Sequence, residues 1–269
     1  NNWYGLHSLL SITNNKQVQP VLIKNRFAVI YNGEIYNDFK KYSSSYGDTD
    51  FLVNHIKKYG VDNLKKLDGE YAIIIYNLKK NILYLVKDPF GTKPLYYAIN
   101  KNKEIIVTTY GKTIEDLGIK IKDIISIPPN SLLKIDLNKN FEVKTNTNLK
   151  KFIFTSKKKT TYNDFSLAFT NAIKKRIRSS DKKIFIGLSS GHDSGLIAAE
   201  LNKLKTSFSS YSVFYGEVKN ILKKRIKILS KNKKIYLKNL SINLKNRDSI
   251  KKYLKMYSPY VNVNLDNEK

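Results

Sequence analysis

No cysteine occurs among the 269 residues. That excludes a disulfide framework, a thiolate zinc site and a cysteine nucleophile within this stretch of chain, and it gives no support for secretion. Long apolar runs are missing too. The longest, such as residues 71–76, are strand-sized and far short of a bilayer span, so no membrane partner is expected. The opening stretch from Asn1 is mixed and polar, without the basic-then-apolar layout of a signal peptide, and the chain starts without Met. It therefore reads as a processed product or a fragment, with a cytoplasmic location expected. Arginine is confined to five positions, Arg26, Arg176, Arg178, Arg225 and Arg247. Lysine thus supplies nearly all of the net charge of +27. Specific nucleic-acid sites favour arginine for bidentate contacts. Lysine spread through a chain that is also rich in Asn and Ile reads instead as compositional drift, so no specific nucleic-acid partner is expected. Nonspecific, salt-sensitive adherence to polyanions follows from the charge alone.

What is present suffices for a folded protein. The chain is 41% hydrophobic and long enough for two modest domains or one large one. In the first half, residues 27–31, 71–77, 82–87, 95–99, 105–109 and 131–135 are short β-branched or aromatic runs that predict strands. Between them, residues 50–59 have helical spacing, with Asp48 or Thr49 as a cap and Gly60 as the stop. Residues 109–117 read as a short helix. A lysine-rich stretch then suggests a linker over 151–160, separating a domain over 1–150 from one over 161–269. Beyond it the pattern alternates. A helix is predicted over 161–178 with Phe165, Leu167, Ala168, Ala172, Ile173 and Ile177 as its apolar face. A strand over 183–188, a helix over 193–204, a strand over 208–215, a helix over 217–230 and a strand over 234–238 follow. Such alternation implies a parallel sheet.

Two segments carry the chemistry. The turn after residues 183–188 reads Leu188-Ser189-Ser190-Gly191-His192-Asp193-Ser194. Its place between a buried strand and a helix puts it at the carboxyl edge of a sheet, where ligands bind. Small residues and a helix N-terminus suit a phosphate, although Gly-Lys-Ser/Thr is absent. A plain turn capped by Asp193 or Ser189 is the alternative. The second segment, Asn32-Gly33-Glu34, sets an amide, a flexible backbone N–H and a carboxylate in succession just after a predicted strand, and Asp48 follows in Gly47-Asp48-Thr49-Asp50. Donors of this kind stabilise an oxyanion, and carboxylates hold an ammonium. A tight Asn-Gly hairpin turn is the alternative here.

The surroundings of these segments resemble a known family. Residues 26–37, then 47–52, then Leu67-Asp68-Gly69-Glu70-Tyr71-Ala72, then Lys87-Asp88-Pro89-Phe90-Gly91-Thr92-Lys93-Pro94-Leu95-Tyr96-Tyr97, then Ile127-Pro128-Pro129-Asn130-Ser131 look like the glutamine-hydrolysing asparagine synthetases, in order and at similar spacings. The later turn resembles the Ser-Gly-Gly-x-Asp-Ser pyrophosphate loop of the ATP pyrophosphatases, with Ser190 in place of the second glycine. The resemblance implies an incomplete α+β N-terminal-nucleophile-type αββα sandwich, that is, a class II glutamine amidotransferase domain. An incomplete α/β parallel-sheet ATP-pyrophosphatase domain would follow it. It implies a ligase forming a C–N bond: ammonia, from glutamine or free, passes to aspartate through an acyl-adenylate, with ATP and Mg2+ as cofactors. By this resemblance Asn32 and Gly33 form the oxyanion hole, and Asn32, Gly33, Glu34 and Asp48 hold glutamine. Leu188, Ser189, Gly191, Asp193, Ser194 and Val213 hold ATP, and no resident metal ligand is assigned. Partners are then glutamine, aspartate and ATP, with a second copy of the chain kept open.

The chain also departs from the family. The nucleophilic cysteine is not among these residues, and residues 5–12 resemble a stretch that normally lies well downstream of it. Leu9 stands where the family has an arginine gripping the glutamine carboxylate. Ser190 is expected to crowd its loop or change its backbone angles. The second acidic loop of the synthetase is not found after Gly216, so the chain reads as truncated at both ends. Two alternatives remain: an amide-forming relative with a dead glutaminase domain, like a β-lactam synthetase, or a non-catalytic protein that binds glutamine or nucleotide.

Overall fold

The computed structural model describes residues 3–10, 12, 18–37, 47–147, 149–152, 161–179, 183–213, 217–231 and 235–240. Residues 153–160 of the predicted linker lie outside them. The chain divides into two units, Asn1–Ser156 and Lys157–Lys269.

The first unit is built on a six-stranded antiparallel sheet in the order β1-β2-β3-β4-β8-β9, formed by β1 Val21–Ile23, β2 Phe27–Ile35, β3 Gly69–Asn77, β4 Ile82–Lys87, β8 Ser131–Asp136 and β9 Glu142–Thr147. A second antiparallel sheet has the order β6-β5-β7, from β5 Tyr96–Ile99, β6 Ile105–Thr108 and β7 Ile125–Ser126. Alternation along each strand sends side chains to two faces, and both faces of the large sheet are apolar. One face joins Val29, Tyr31, Ile35, Ile73 and Ile75 to Leu52, Val53 and Ile56 of helix α1, Asp48–Tyr59. The other joins Leu83, Leu85, Leu133 and Ile135 to Leu95, Tyr97 and Ile127 on and beside the small sheet. Helix α2, Gly111–Asp116, lies against β5 and β6 and buries Ile114 completely. The layers therefore run helix, sheet, sheet, helix, the αββα arrangement expected.

Local signals account for most of these elements. Helix α1 has Asp48 and Asp50 in its first turn and Lys57 and Lys58 in its last, which complements the helix dipole, and Gly60 at φ 74° ends it. Two expectations fail. Neither Asp48 nor Thr49 caps the helix: both are inside it, the cap is Gly47 with no side-chain bond, and both side chains are buried. Nor does β2 stop at Tyr31. It runs on to Ile35, so Asn32-Gly33 is mid-strand, paired with Ala72 and Tyr71, and is not a hairpin turn. Strands β1 and β7, of three and two residues, are too short to stand out in the sequence, and β9 holds a single apolar residue, Val143.

The second unit alternates helix α3, Asn163–Ser179, with strand β10, Phe185–Gly187, helix α4, His192–Lys203, strand β11, Phe208–Val213, helix α5, Lys219–Leu229, and strand β12, Ile235–Leu240. The three strands form a parallel sheet in the order β10-β11-β12. Its core gathers Ile173, Leu188, Ala198, Leu201, Phe208, Leu222 and Leu229, with Phe169 and Ile177 packed on it. The apolar face of α3 is thus set by 169, 173 and 177 at four-residue steps, one helical stripe. Phe165, Leu167 and Ala168, predicted for that face, are exposed instead: Leu167 and Ala168 fall off this row, and Phe165, which is on it, lies in the first turn, stacked on Phe169 with ring centroids 6.3 Å apart.

Candidate glutamine site and phosphate loop

Gly33 determines how β2 passes β3. Its φ is +147°, and a Cβ there would lie 1.9 Å from the Glu70 carbonyl oxygen and 2.7 Å from the Tyr71 Cα. A glycine inside a strand marks close backbone approach, and no other residue fits here. Asn32 and Glu34, two apart, share one face of the strand. Helix α1 brings Asp48 to them from outside the sheet, and its carboxylate also accepts a long bond from the Ile35 N–H at 3.4 Å.

These residues meet in one cavity of about 140 Å³. Its walls include Asn32, Gly33, Glu34 and Asp48, together with Tyr31, Thr49, Gln19, Lys93, His7 and Leu9. All four residues assigned to glutamine are therefore brought together, although Asp48 is 14 positions from Glu34. Leu9 faces the same cavity, so the position that lacks an arginine belongs to the site. Gln19 is part of the frame: its side-chain oxygen accepts the Tyr31 N–H at 2.6 Å.

The electrostatics follow from two carboxyls placed together. Burial, then the neighbouring Asp48, raise the Glu34 carboxyl to about 7, and a hydrogen bond with Asp48 adds to this while Lys93 opposes it. A carboxyl pair of this kind keeps a proton near neutrality unless a cation joins it. Burial first, and Asp48 second, likewise hold the Tyr31 hydroxyl protonated well above the ordinary range. Burial also lowers His7, whose Nδ1 has no hydrogen-bond partner. The cavity thus offers an amide, a neutral imidazole, two neighbouring carboxyls and the Lys93 ammonium.

The loop that carries Lys93 is organised by Asp88, which is fully buried. The Asp88 carboxylate accepts the Phe90 N–H at 2.9 Å, the Thr92 hydroxyl at 3.2 Å, the Tyr71 N–H at 3.2 Å and the Lys93 N–H at 3.3 Å. Its carbonyl also accepts the Asn130 N–H at 2.9 Å, which ties the Asp-Pro-Phe-Gly and Pro-Pro-Asn segments together. The buried carboxylate is satisfied, as burial requires. Sequence reasoning assigned no role to Lys93, Tyr31, His7, Gln19 or Asp88, and gave Thr49 only that of a helix cap. Lys93 and Asp88 do lie in a quoted motif, but a motif does not show which of its side chains face a cavity.

In the second unit the loop between β10 and α4 is closed by its own groups. The Ser189 and Ser194 hydroxyls lie 2.8 Å apart, Ser194 accepts the Ser189 N–H at 3.1 Å, and Ser189 accepts the Gly191 N–H at 3.1 Å. The Arg225 guanidinium donates to the carbonyls of Ser189 at 2.6 Å and Gly191 at 2.7 Å, and lies so near Gly195 that a side chain there would collide with it. Leu188 is buried and donates its N–H to the Tyr211 carbonyl at 2.7 Å. Ser190 does not distort the loop: it has no positive φ, and its N–H and hydroxyl both donate to the Glu217 carboxylate. Those bonds hold Glu217 below the usual carboxylate range. The loop therefore already binds an anion, supplied by the chain itself. Gly191 caps α4 without any side-chain bond, so Asp193 is not a cap; it is exposed in the first turn. Val213 ends β11, and its side chain is outside the described residues. No cluster of three acidic or histidine groups suited to a metal ion occurs among the described residues, and no described helix is long and apolar enough to cross a membrane.

Comparison with known proteins adds the family. Residues 7–116 match the glutamine amidotransferase domain family. A putative glutamine-hydrolysing asparagine synthetase of Methanocaldococcus jannaschii is 30% identical over 220 residues, covering 71% of this chain and 39% of that protein. The glutamine-hydrolysing asparagine synthetase of Homo sapiens is 25% identical over 230 residues, covering 74% of this chain and 41% of that protein. The chain thus spans about two fifths of the length of these curated relatives. Among solved structures, glutamine phosphoribosylpyrophosphate amidotransferase from B. subtilis aligns at a TM-score of 0.42 and 16% identity, over 83% of this chain and 64% of that one. The sequence matches and the motifs in residues 26–97 agree: the chain belongs to the glutamine-hydrolysing asparagine synthetase family, through a glutamine amidotransferase domain.

Proposed function

We propose that the first unit binds L-glutamine as the amidotransferase part of an ATP-dependent, amide-forming enzyme of the asparagine synthetase kind, with aspartate as the nitrogen acceptor. One observation carries the reading: Asn32, Gly33, Glu34 and Asp48 line a single cavity. The two neighbouring carboxyls there suit the α-ammonium of glutamine. Its side-chain amide then lies toward Asn32 and Gly33, whose amide and N–H are donors suited to an oxyanion. The sequence carries no thiol, so what these residues do themselves is bind and orient glutamine, as in a relative with a silent glutaminase half.

The second unit is proposed to hold ATP at Leu188, Ser189, Gly191, Asp193, Ser194 and Val213. The fit is supported by the carboxylate of Glu217 seated on Ser190, since a phosphate oxygen uses the same donors. ATP held there would supply an adenylyl group to activate a carboxylate, with pyrophosphate as the leaving group. No described residues form a set for Mg2+, and none is assigned to it. Titration calorimetry of the full 269-residue chain with L-glutamine tests the first unit. Saturable binding is expected, weakened about tenfold or more by Asp48→Asn, which removes one charge-assisted bond. Absence of saturable binding at millimolar glutamine overturns the reading.

A further inference from the structure

We infer that Lys93 is the carboxylate anchor of the cavity and sets its preference for a free α-amino acid over an α-amide. The inference rests on the glutamine reading and deepens it. An amino acid bound through its ammonium brings a carboxylate one carbon away, and that anion needs a cation. The cavity walls at Leu9, Leu10 and Ile12 are apolar, and Ser8, Thr49, Asn32 and Gln19 are neutral. His7 is held neutral by burial. Lys93 is the one permanent cation among the described residues that line it.

Three features make Lys93 available for this task. Its backbone is pinned by Asp88, so its stem leaves the loop at a defined point. The side chain is only half-buried, and its ammonium has no hydrogen bond or ion pair among the described residues. It also acts electrostatically on Glu34, another wall of the same cavity, which places it within reach of the carboxyl pair. An amino acid seated between them therefore meets acid at one end and base at the other, the pattern that recognises a zwitterion. A lysine here is a compact point charge, and it grips a carboxylate less rigidly than an arginine fork.

Calorimetry with L-glutamine and with its α-amide, on the wild-type chain, Lys93→Met and Lys93→Arg, tests the inference. The wild type is expected to prefer glutamine by roughly tenfold to a hundredfold, the range for one charge-assisted hydrogen bond. Lys93→Met is expected to lose that preference by weakening glutamine alone, and Lys93→Arg to keep it. Equal weakening of both ligands in Lys93→Met overturns the inference, because Lys93 would then only offset the charge of Glu34. A wild type that binds both ligands equally overturns it too, without recourse to any variant. A wild type that binds neither overturns the glutamine reading itself, and the anchor with it.

Discussion

Proton release on glutamine binding is the most exacting consequence of the paired carboxyls. With Glu34 at about 7, half of the ligand-free molecules hold an extra proton at pH 7. An α-ammonium placed between Glu34 and Asp48 favours the ionised form and drives that proton off. Affinity then tracks the ionised fraction of the free site. That fraction rises from about 0.03 at pH 5.5 to about 0.76 at pH 7.5, so binding strengthens at most about 25-fold over the interval. Solvent reaches the half-buried carboxyl, which reduces the expectation to about tenfold. At pH 7, calorimetry in phosphate and in Tris should give heats that differ by roughly half a proton's worth of buffer ionisation. Glu34→Gln should bind more weakly and lose the pH dependence. The same shift bears on stability, with a definite sign. Below about pH 4.5 Glu34 is protonated whether the chain is folded or not; as pH rises through about 7 the folded form is forced to ionise a carboxyl it holds against burial, so stability falls. Glu34→Gln should therefore melt above wild type at pH 8, by roughly 2–4 °C for about 1 kcal/mol after allowing for solvent, and the gap should close by pH 5. Affinity that is flat between pH 5.5 and 7.5, without proton release, refutes the carboxyl pair as the ammonium site.

Two further outcomes test other parts of the structure. Gly33→Ala should cost more than about 3 kcal/mol in urea unfolding, since its Cβ would lie 1.9 Å from the Glu70 oxygen and its φ is +147°; a loss under about 1 kcal/mol would contradict the close β2–β3 approach. Glu217→Ala should free the N–H and hydroxyl of Ser190 and strengthen ATP or pyrophosphate binding several-fold, read by equilibrium dialysis. Unchanged or weaker binding would mean that the loop does not take phosphate at those donors.

Residues close in sequence were legible without a structure. Continuous β-branched and aromatic runs in residues 71–77 and 82–87 mark β3 and β4, and four-residue spacing before Gly60 marks α1, because both patterns answer only to local geometry. The order of the Asn-Gly-Glu, Gly-Asp and Asp-Pro-Phe-Gly segments was enough to indicate the family. The failures share a cause. Asp48 looks like a helix cap to any local rule, yet Tyr31 and Glu34, 17 and 14 positions earlier, turn it into half of a buried carboxyl pair. Asn32-Gly33 looks like a turn, but the backbone of Glu70 and Tyr71 makes it the tightest point of a strand crossing.

By itself, then, the sequence determined the family, the alternation of elements and the absence of any thiol in these 269 residues. Tertiary structure alone decided that Asp48 stands beside Glu34 and raises its carboxyl, that Lys93 faces the same cavity, and that Glu217 occupies Ser190. The physical reason is distance along the chain. Burial and Coulomb interactions act between groups that folding brings together, and no local pattern of residues encodes which distant group that will be.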